Sequence, residues 1–446
     1  MRGEQQLRAI AQRLLDACTA DQAEVVITED DSALTRFASS AIHQNVFEAS
    51  VEARVRAVVG NRVGVATTNQ LDDRSIQDVA LRAVAAARVA PEDPDFPGLP
   101  GPAPLVRVSA HSPATAAYSP DRRARDVKSI CDQAIAVGLD ASGAWSTSEV
   151  GLAVANTRGI WAYDLRTHAS LKTVIMGESS SGYAERTAVD AATIDAEAVG
   201  REAVAKAIQG RDPVPVAAGT YTVVLEPYAV GTMIDYLAYM GLGAQALQEG
   251  RSFMSGRLGS RVTGENISLW DDALDPSGMP AAFDFEGVPK QRVMLIDRGV
   301  ASDVVYDSYT AARGERHSTG HALPAPNTFG PLPLNLFLAT GDGDRAGLLR
   351  GITHGLWVTR FHYVNVVHPT RTVLTGMTRD GTFLIENGEI SRAVHNLRFT
   401  QSVLDALSTV EAIGRESLLL QDDLGGTRVP PLRIGEFSFS SATSFG

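Results

Sequence analysis

Residues 220–243, TYTVVLEPYAVGTMIDYLAYMGLG, constrain the fold more than any other stretch, because they turn a buried strand into a helix near the middle of the chain. Tyr221, Thr222, Val223, Val224 and Leu225 form a β-branched, apolar run of strand length. Pro227 then fixes φ for a first helical turn, apolar and small residues recur at helical spacing over 228–240, and Gly241 and Gly243 supply the stop. A helix launched from a strand has a rigid start, so its face is a natural mount for functional groups. This one carries Asp235, Tyr236 and Tyr239, and no histidine.

The residues before this stretch read as one module. A helix is expected over 5–20, with Leu7, Ile10, Ala11, Leu14 and Leu15 on one face. Strands follow over 23–29 and 32–38, then a longer pair over 51–60 and 61–68. Gly60 and Asn61, which both tolerate positive φ, mark the hairpin between them. Helix periodicity returns over 72–89 with Ile76, Val79, Ala80, Ala83 and Val84 as its stripe. Six prolines and two glycines between 91 and 104 then leave a linker with little room for regular structure. A helix over 121–139, strands within 146–173 around a turn at Asn156 to Gly159, and a helix over 191–208 complete the half. This order echoes the first hundred residues, with no residue-level identity that establishes a repeat.

The boundary falls at 210–219, which holds two prolines, and divides the chain into domains 1–215 and 216–446. After Asn266, strand-length segments separated by Gly, Asp, Asn and Pro dominate: 293–297, 304–306, 334–340, 357–366, 370–378, 382–385 and 391–398. Short helices are expected over 345–350, capped by Asp344, and over 403–413. The fold class is therefore α+β, an N-terminal α/β module of hairpin strands and helices followed by a mostly antiparallel β module.

A chain of 446 residues has ample length for two or three domains, and its 44% hydrophobic and 21% charged content is that of a soluble globular protein. The formal charge of −12 argues against a nucleic-acid-binding surface. Cys18 and Cys131 are the only cysteines, so a disulfide framework and a Cys-rich zinc site are both excluded, and each reads as a buried thiol. The opening MRGEQQLRAIAQRLLDA lacks the continuous apolar core of a signal peptide, and no run is long and apolar enough to cross a membrane. A cytoplasmic location is expected.

Three constellations could carry chemistry. His317 and His321 are spaced by four, which on a helix would place both imidazoles on one face for a metal; Gly320 between them and Pro324 after them favour a loop. In TRFHYVNVVHP, an ideal strand would put His362 and His368 on one face, roughly 20 Å apart and too far to share an ion. Arg360 there is available to bind a peptide carboxylate in a polar cleft wall. Asp271, Asp272, Asp275, Asp284 and Glu286 could hold a cation, but calcium-loop spacing is missing and a solvated turn is the expectation. Gly341 to Asp344 looks like a phosphate loop, yet its acidic residues would repel phosphate, so a turn into the next helix is expected.

Five ordered segments together resemble the TldD/PmbA family, also called modulators of DNA gyrase, of zinc metallopeptidases. They are LTRFASSAIHQN at 34–45, FDFEGVPKQRVMLIDRGV at 283–300, STGHALP at 318–324, FLIENGEISRAV at 383–394 and VPPLRIGEFSFSSATSF at 429–445. The resemblance implies one of two kinds of subunit. The TldD type carries His-Glu-x-x-x-His on the helix at 228–240 and a cysteine shortly before the Glu-Asn-Gly turn, together holding zinc. The PmbA (TldE) type lacks the motif, and the active assembly is a heterodimer that degrades unstructured peptides. Here the three motif positions hold Asp235, Tyr236 and Met240, and Met377, Thr378 and Arg379 precede Glu386 without a cysteine.

The resemblance therefore implies the zinc-free subunit: no cofactor in this chain, zinc in a TldD-like partner, and a scaffold and peptide-channel role here. Arg313, His317, His321, Arg360, His362 and Asn365 are its channel candidates. Two alternatives stay open. One is a self-sufficient metallopeptidase with ligands moved to His317, His321, His362 or His368. The other is a non-catalytic protein that binds extended peptides, alone or as a homodimer. Neither nucleic acid nor membrane is an expected partner.

Overall fold

The computed structural model describes residues 1–422 and 425–442. The last residues of the 429–445 segment lie outside these. The first half builds one six-stranded antiparallel sheet. Its elements are α1 (Glu4–Ala17), β1 (Gln22–Ala38), β2 (Ala41–Val59), β3 (Arg62–Thr68), α2 (Asp73–Val89), the short α3 (Pro113–Ala116), α4 (Pro120–Ala136), β4 (Asp140–Asn156), β5 (Trp161–Met176), β6 (Ser181–Ala188) and α5 (Ala196–Gln209). Strand order is β3-β2-β1-β4-β5-β6. The Gly60-Asn61 hairpin forms as expected, with Val59 opposite Arg62. The two strands expected over 23–29 and 32–38 are one. β1 runs through Asp30 and Asp31 because β2 and β4 satisfy its backbone on both edges, which outweighs the poor strand propensity of aspartate. β3 reaches only to Ala53 of β2, so residues 41–52 are a sheet edge.

The echo between the two parts of this half is a structural repeat. Helix, three strands and helix occur twice, and the units meet along β1 and β4. Gln22 and Asp140, which open the central strands, are 118 residues apart, and so are Gly64 and Gly182 in the outer strands. In the β1–β4 ladder Asp31 faces Glu149, its own equivalent at that offset. Each unit packs its helices on the same sheet face around Leu7, Val25, Val55 and Val79, or around Val127, Trp145, Leu171 and Val199. Gly64 lets β3 touch α2, since a Cβ there would lie 2.1 Å from the Ala87 amide nitrogen; at Gly182 it would lie 2.1 Å from the Ala203 carbonyl of α5.

The second half comprises β7 (Gly219–Leu225), α6 (Pro227–Gly241), α7 (Ala244–Gln248), β8 (Leu269–Asp271), β9 (Val293–Asp297), β10 (Val300–Ala301), α8 (Ser308–Arg313), β11 (Asn335–Leu338), α9 (Arg345–Leu349), β12 (His354–His368), β13 (Val373–Glu386), β14 (Glu389–Ala393), β15 (Leu397–Ser402), α10 (Val403–Ser408), β16 (Val410–Ile413), β17 (Leu418–Asp422), β18 (Gly425–Val429) and β19 (Leu432–Ala442). β12, β7, β19, β15 and β13 pair in turn, and β13 pairs back to β12, which closes a five-stranded barrel. Phe361, Phe399 and Phe437 meet inside it from three different strands, with ring centroids 4.5–5.6 Å apart. A second sheet, β10-β9-β8-β11-β18-β17, lies on the other side of α6. Eleven of the fifteen residues of α6 are buried, so this helix is core on nearly every side.

Several expectations change in this half. The helix expected over 403–413 ends at Ser408, and Val410–Ile413 pairs with β19 instead. The segments 370–378 and 382–385 join into β13, whose continuity follows from pairing with β12 on one edge and with β14 and β15 on the other. Residues 304–306 form no strand, only an isolated bridge from Val305 to Gly243. Asp344 caps α9 as expected, accepting from the Gly347 amide at 2.7 Å.

The acidic cluster is a turn only in part: Asp272 and Asp275 are partly exposed and accept from the Leu274 and Ser277 amides, as turn residues do, but the other three are not solvated. Asp271, Asp284 and Glu286 are buried because each carboxylate has dedicated donors. Asp284 accepts from the amides of Ala322, Glu286 and Val288 at 2.8–2.9 Å. Asp271 meets His321 Nε2 at 2.8 Å and the Asn335 amide at 2.7 Å. Glu286 accepts from the Ser308 amide at 3.0 Å and lies 3.2 Å from Arg56 of β2, which also holds Glu24 at 2.6 Å. Arg56 thus ties the first sheet to the second half, beside an apolar contact of Val26, Leu152 and Val154 with Ala282 and Phe283.

Two predictions follow from this packing. Gly64→Ala and Gly182→Ala should each destabilise the protein by about 1–3 kcal/mol in urea unfolding, because the helix backbone has to move away. Equal, near-zero changes would mean the strand–helix contacts are looser than described. Burial pushes the Glu24 carboxyl from 4.5 up to about 7, against the pull of Arg56 and with the help of Glu286. The folded state therefore holds this proton more tightly than the unfolded chain. The stability it contributes is complete below pH 4.5 and is lost as pH rises through about 7. Relative to Glu24→Gln, the wild type should lose about 3 kcal/mol over that window. A difference that stays flat with pH would contradict the assignment.

Candidate functional site

The helix start singled out in the sequence faces a recess of about 280 Å³, closed by groups from four directions. Thr232, Asp235 and Tyr236 come from α6, and Arg360, Phe361, His362, Tyr363 and Val364 from β12. Lys172, Tyr183 and Glu185 come from β5 and β6 of the first sheet, and Leu420 and Gln421 from β17.

The α6 end is fixed by Glu226, the residue between β7 and the helix. Its amide donates to the Val358 carbonyl at 3.0 Å, and its carboxylate accepts from Trp357 Nε1 and Lys206 Nζ, each at 2.6 Å. A carboxylate at a helix N-terminus is also favoured by the helix dipole. Lys206 lies 2.8 Å from Glu202, which Arg186 reaches at 2.6 Å and the Tyr228 hydroxyl at 3.0 Å. Burial works against ionisation of Glu202, but Lys206 and Arg186 outweigh it and hold its carboxyl below the usual range. Burial and the same carboxylates push the Tyr228 phenol up.

β12 is not an ideal strand along the recess. Its register with β13 shifts between His362 and Asn365, and Tyr363 takes a left-handed φ of 48°. The irregularity presents the Val364 carbonyl to the Tyr236 hydroxyl, which donates to it at 2.6 Å. Two further shifts in the pairing mean that the alternation expected for His362 and His368 does not hold along this strand. Arg360 pairs with the buried Asp380 and lies 4.4 Å above the Tyr183 ring. Tyr183 donates to Glu185 at 2.5 Å, and Lys172 lies 3.2 Å from the other oxygen of Glu185. Burial, with Arg360 and Arg379 beside it, lowers the His362 imidazole, which favours its neutral form.

Of the residues expected from the sequence, Arg360 and His362 reach the recess together with Asp235 and Tyr236. Asn365 is exposed just beyond it, donating to the Tyr363 carbonyl at 3.2 Å. Met240 is buried further along α6 in the main apolar core. Asp235 accepts from the Thr427 hydroxyl of β18. The loop expected at 317–321 is present, but its histidines lie elsewhere. His317 is exposed, and Arg313 ends α8, 3.5 Å from Asp95. His321 is 1% exposed and has both ring nitrogens bonded, one to Asp271 and one to Thr319 at 2.9 Å. Burial and Lys290 lower its imidazole. Lys172, Tyr183 and Glu185 were not among the expected residues; they lie in strands of another sheet, and nothing local in their sequence marks them.

The recess is thus a charge-compensated polar hollow in which arginine, lysine and neutral imidazole can meet peptide groups. Among the described residues, no three of His, Cys, Asp and Glu are grouped to hold a metal ion.

The profile of the PmbA/TldA metallopeptidase C-terminal domain matches residues 218–441, and that of the family's domain 1 matches residues 23–87. A metalloprotease of Methanothermobacter thermautotrophicus is 24% identical over 226 residues, 50% of this chain and 49% of its own length. A metalloprotease TldD homolog of Haemophilus influenzae is 24% identical over 234 residues, 50% of this chain and 46% of that one. The chain therefore spans about half the length of the curated relatives it matches. The crystal structure of TldE from Thermococcus kodakarensis superposes with a TM-score of 0.88 at 17% identity, covering 97% of this chain and 99% of that one, which is a likeness of fold. On the match from 218 to 441, this chain belongs to the PmbA/TldA metallopeptidase family.

Proposed function

We propose that this chain is the zinc-free subunit of a TldD/TldE-type heterodimeric peptidase acting on unstructured peptides in the cytoplasm. It supplies scaffold and one wall of the peptide channel, and a TldD-like partner supplies zinc and the catalytic groups. The observation that carries this reading is what stands at the three motif positions on α6. Asp235 is bonded to Thr427, Tyr236 to the Val364 carbonyl, and Met240 is core. A phenol and a thioether are not the imidazole, thiolate and carboxylate donors that zinc takes, and the one carboxylate, Asp235, is bonded to Thr427, so this set does not fit the metal. The curated relatives named metalloproteases and the fold shared with a TldE support the reading. Arg360 and His362 are then the groups that meet the peptide, with Asn365 at the rim, while the burial of His321 removes it from contact.

Elemental analysis should find zinc only after co-expression with a TldD-like partner, and a peptidase assay should lose activity when this chain is omitted. Stoichiometric zinc in the isolated chain, or unchanged activity without it, would overturn the proposal. Within the complex, Arg360→Ala should raise KM about tenfold with kcat nearly unchanged, the signature of lost uniform binding. A fall in kcat alone would place Arg360 in the chemistry instead.

A further inference from the structure

A second cavity, of about 330 Å³, lies between the helix-free face of the first sheet and the loops of the second half. That volume is at the lower end of small-molecule sites, roughly 300–1,000 Å³. Val150 and Leu152 of β4 and Met279, Pro280 and Phe283 of the facing loop give it an apolar wall. Among its polar groups Ser148, His168, Thr167 and Asp284 are hydrogen-bonded, and a few atoms from separate elements are not. Lys290 is 6% exposed; burial lowers its pKa, the fields of Asp271 and Asp284 oppose that, and among the described residues it has no ion pair. Arg166 spends its Nε on Asp164 at 2.9 Å, while its Nη2 is buried without a hydrogen bond. Asn335 Oδ1 and Asp30 Oδ1 are also buried and unbonded.

A buried ammonium without a counter-ion is costly, and a protein that pairs Arg56, Lys206 and Arg360 so closely has the means to pair this one. Among the described residues neither Asp271 nor Asp284 pairs with it, and Asp271 is taken by His321 and the Asn335 amide. Asp284 is occupied by three backbone amides, and burial raises its carboxyl. An incoming carboxylate would meet Lys290 and the free Arg166 Nη2, while the unbonded Asp30 Oδ1 and Asn335 Oδ1 are acceptors that a ligand N–H or O–H would fill.

We propose that this cavity binds a small apolar carboxylate, with Lys290 and Arg166 Nη2 taking the carboxylate and Val150, Leu152, Met279 and Phe283 enclosing the apolar body. The chemistry is shared by the C-terminus of a short peptide and by a simple aryl or alkyl acid. The site belongs to this chain alone and does not depend on the peptidase reading.

Calorimetric titration of the full chain, without partner, with 3-phenylpropionate and with N-acetyl-leucyl-phenylalanine tests it, each against its own amide. At least one acid should bind saturably, with its amide at least about tenfold weaker, as expected for a charge-assisted bond. The acid that binds more tightly identifies the source. Lys290→Met should abolish this binding and Lys290→Arg should keep it within about tenfold. Val150→Phe, which fills the cavity and removes no charged group, should weaken it at least about tenfold. Absence of binding by both acids, equal binding of acid and amide, or full affinity in a folded Val150→Phe variant would overturn the proposal.

Discussion

The carboxylate of Glu226 is the point on which the molecule depends. It sits between a barrel strand and the central helix, accepts from an indole in β12, and holds the ammonium of a helix that belongs to the first sheet. Three bodies are thereby registered against one another by a single buried anion. Buried ion pairs add little to net stability, but removing one partner strands the other, which makes such pairs effective at specifying one arrangement over its neighbours. Apolar contact alone would let α6 slide or rotate between barrel and sheet. The alternating set of Arg186, Glu202, Lys206 and Glu226 does not.

The same arrangement explains why the recess is where it is. α6 is buried on most sides; Thr232, Asp235 and Tyr236 are reached through the notch left between β12, β17 and the edge of the first sheet, while Tyr239 is exposed further along, beside Phe329. The bulge in β12 deepens that notch and ties it shut at one end through Tyr236. Polar residues are gathered there because the three bodies leave a gap, and charge compensation keeps the gap tolerable.

Much of this was legible in sequence. The strand-to-helix turn at Pro227, the Gly60-Asn61 hairpin and the cap at Asp344 are local devices, and each formed where its residues required. What was not legible depended on distant partners. Asp30 and Asp31 look like a break until β4 satisfies the backbone beside them. Asp271, Asp284 and Glu286 look solvated until His321, three backbone amides and Arg56 arrive from elsewhere in the chain. Lys172, Tyr183 and Glu185 enter the recess through a sheet whose edge meets the second half of the chain, and no spacing rule anticipates that.

The ladder in which Asp31 faces Glu149 has a further meaning. It gives the first sheet an internal two-fold axis, with each unit presenting its first strand to the other in the same antiparallel register. A chain of one unit's length, meeting a second copy of itself through that strand, would assemble the same six strands. Joined in a single polypeptide, the copies no longer had to stay alike. One unit's outer strand, β6, packs against the barrel and β17 and lines the recess, while the other unit's outer strand, β3, does neither. The result is an asymmetric platform around a symmetric seam, which no closed homodimer of identical halves can form.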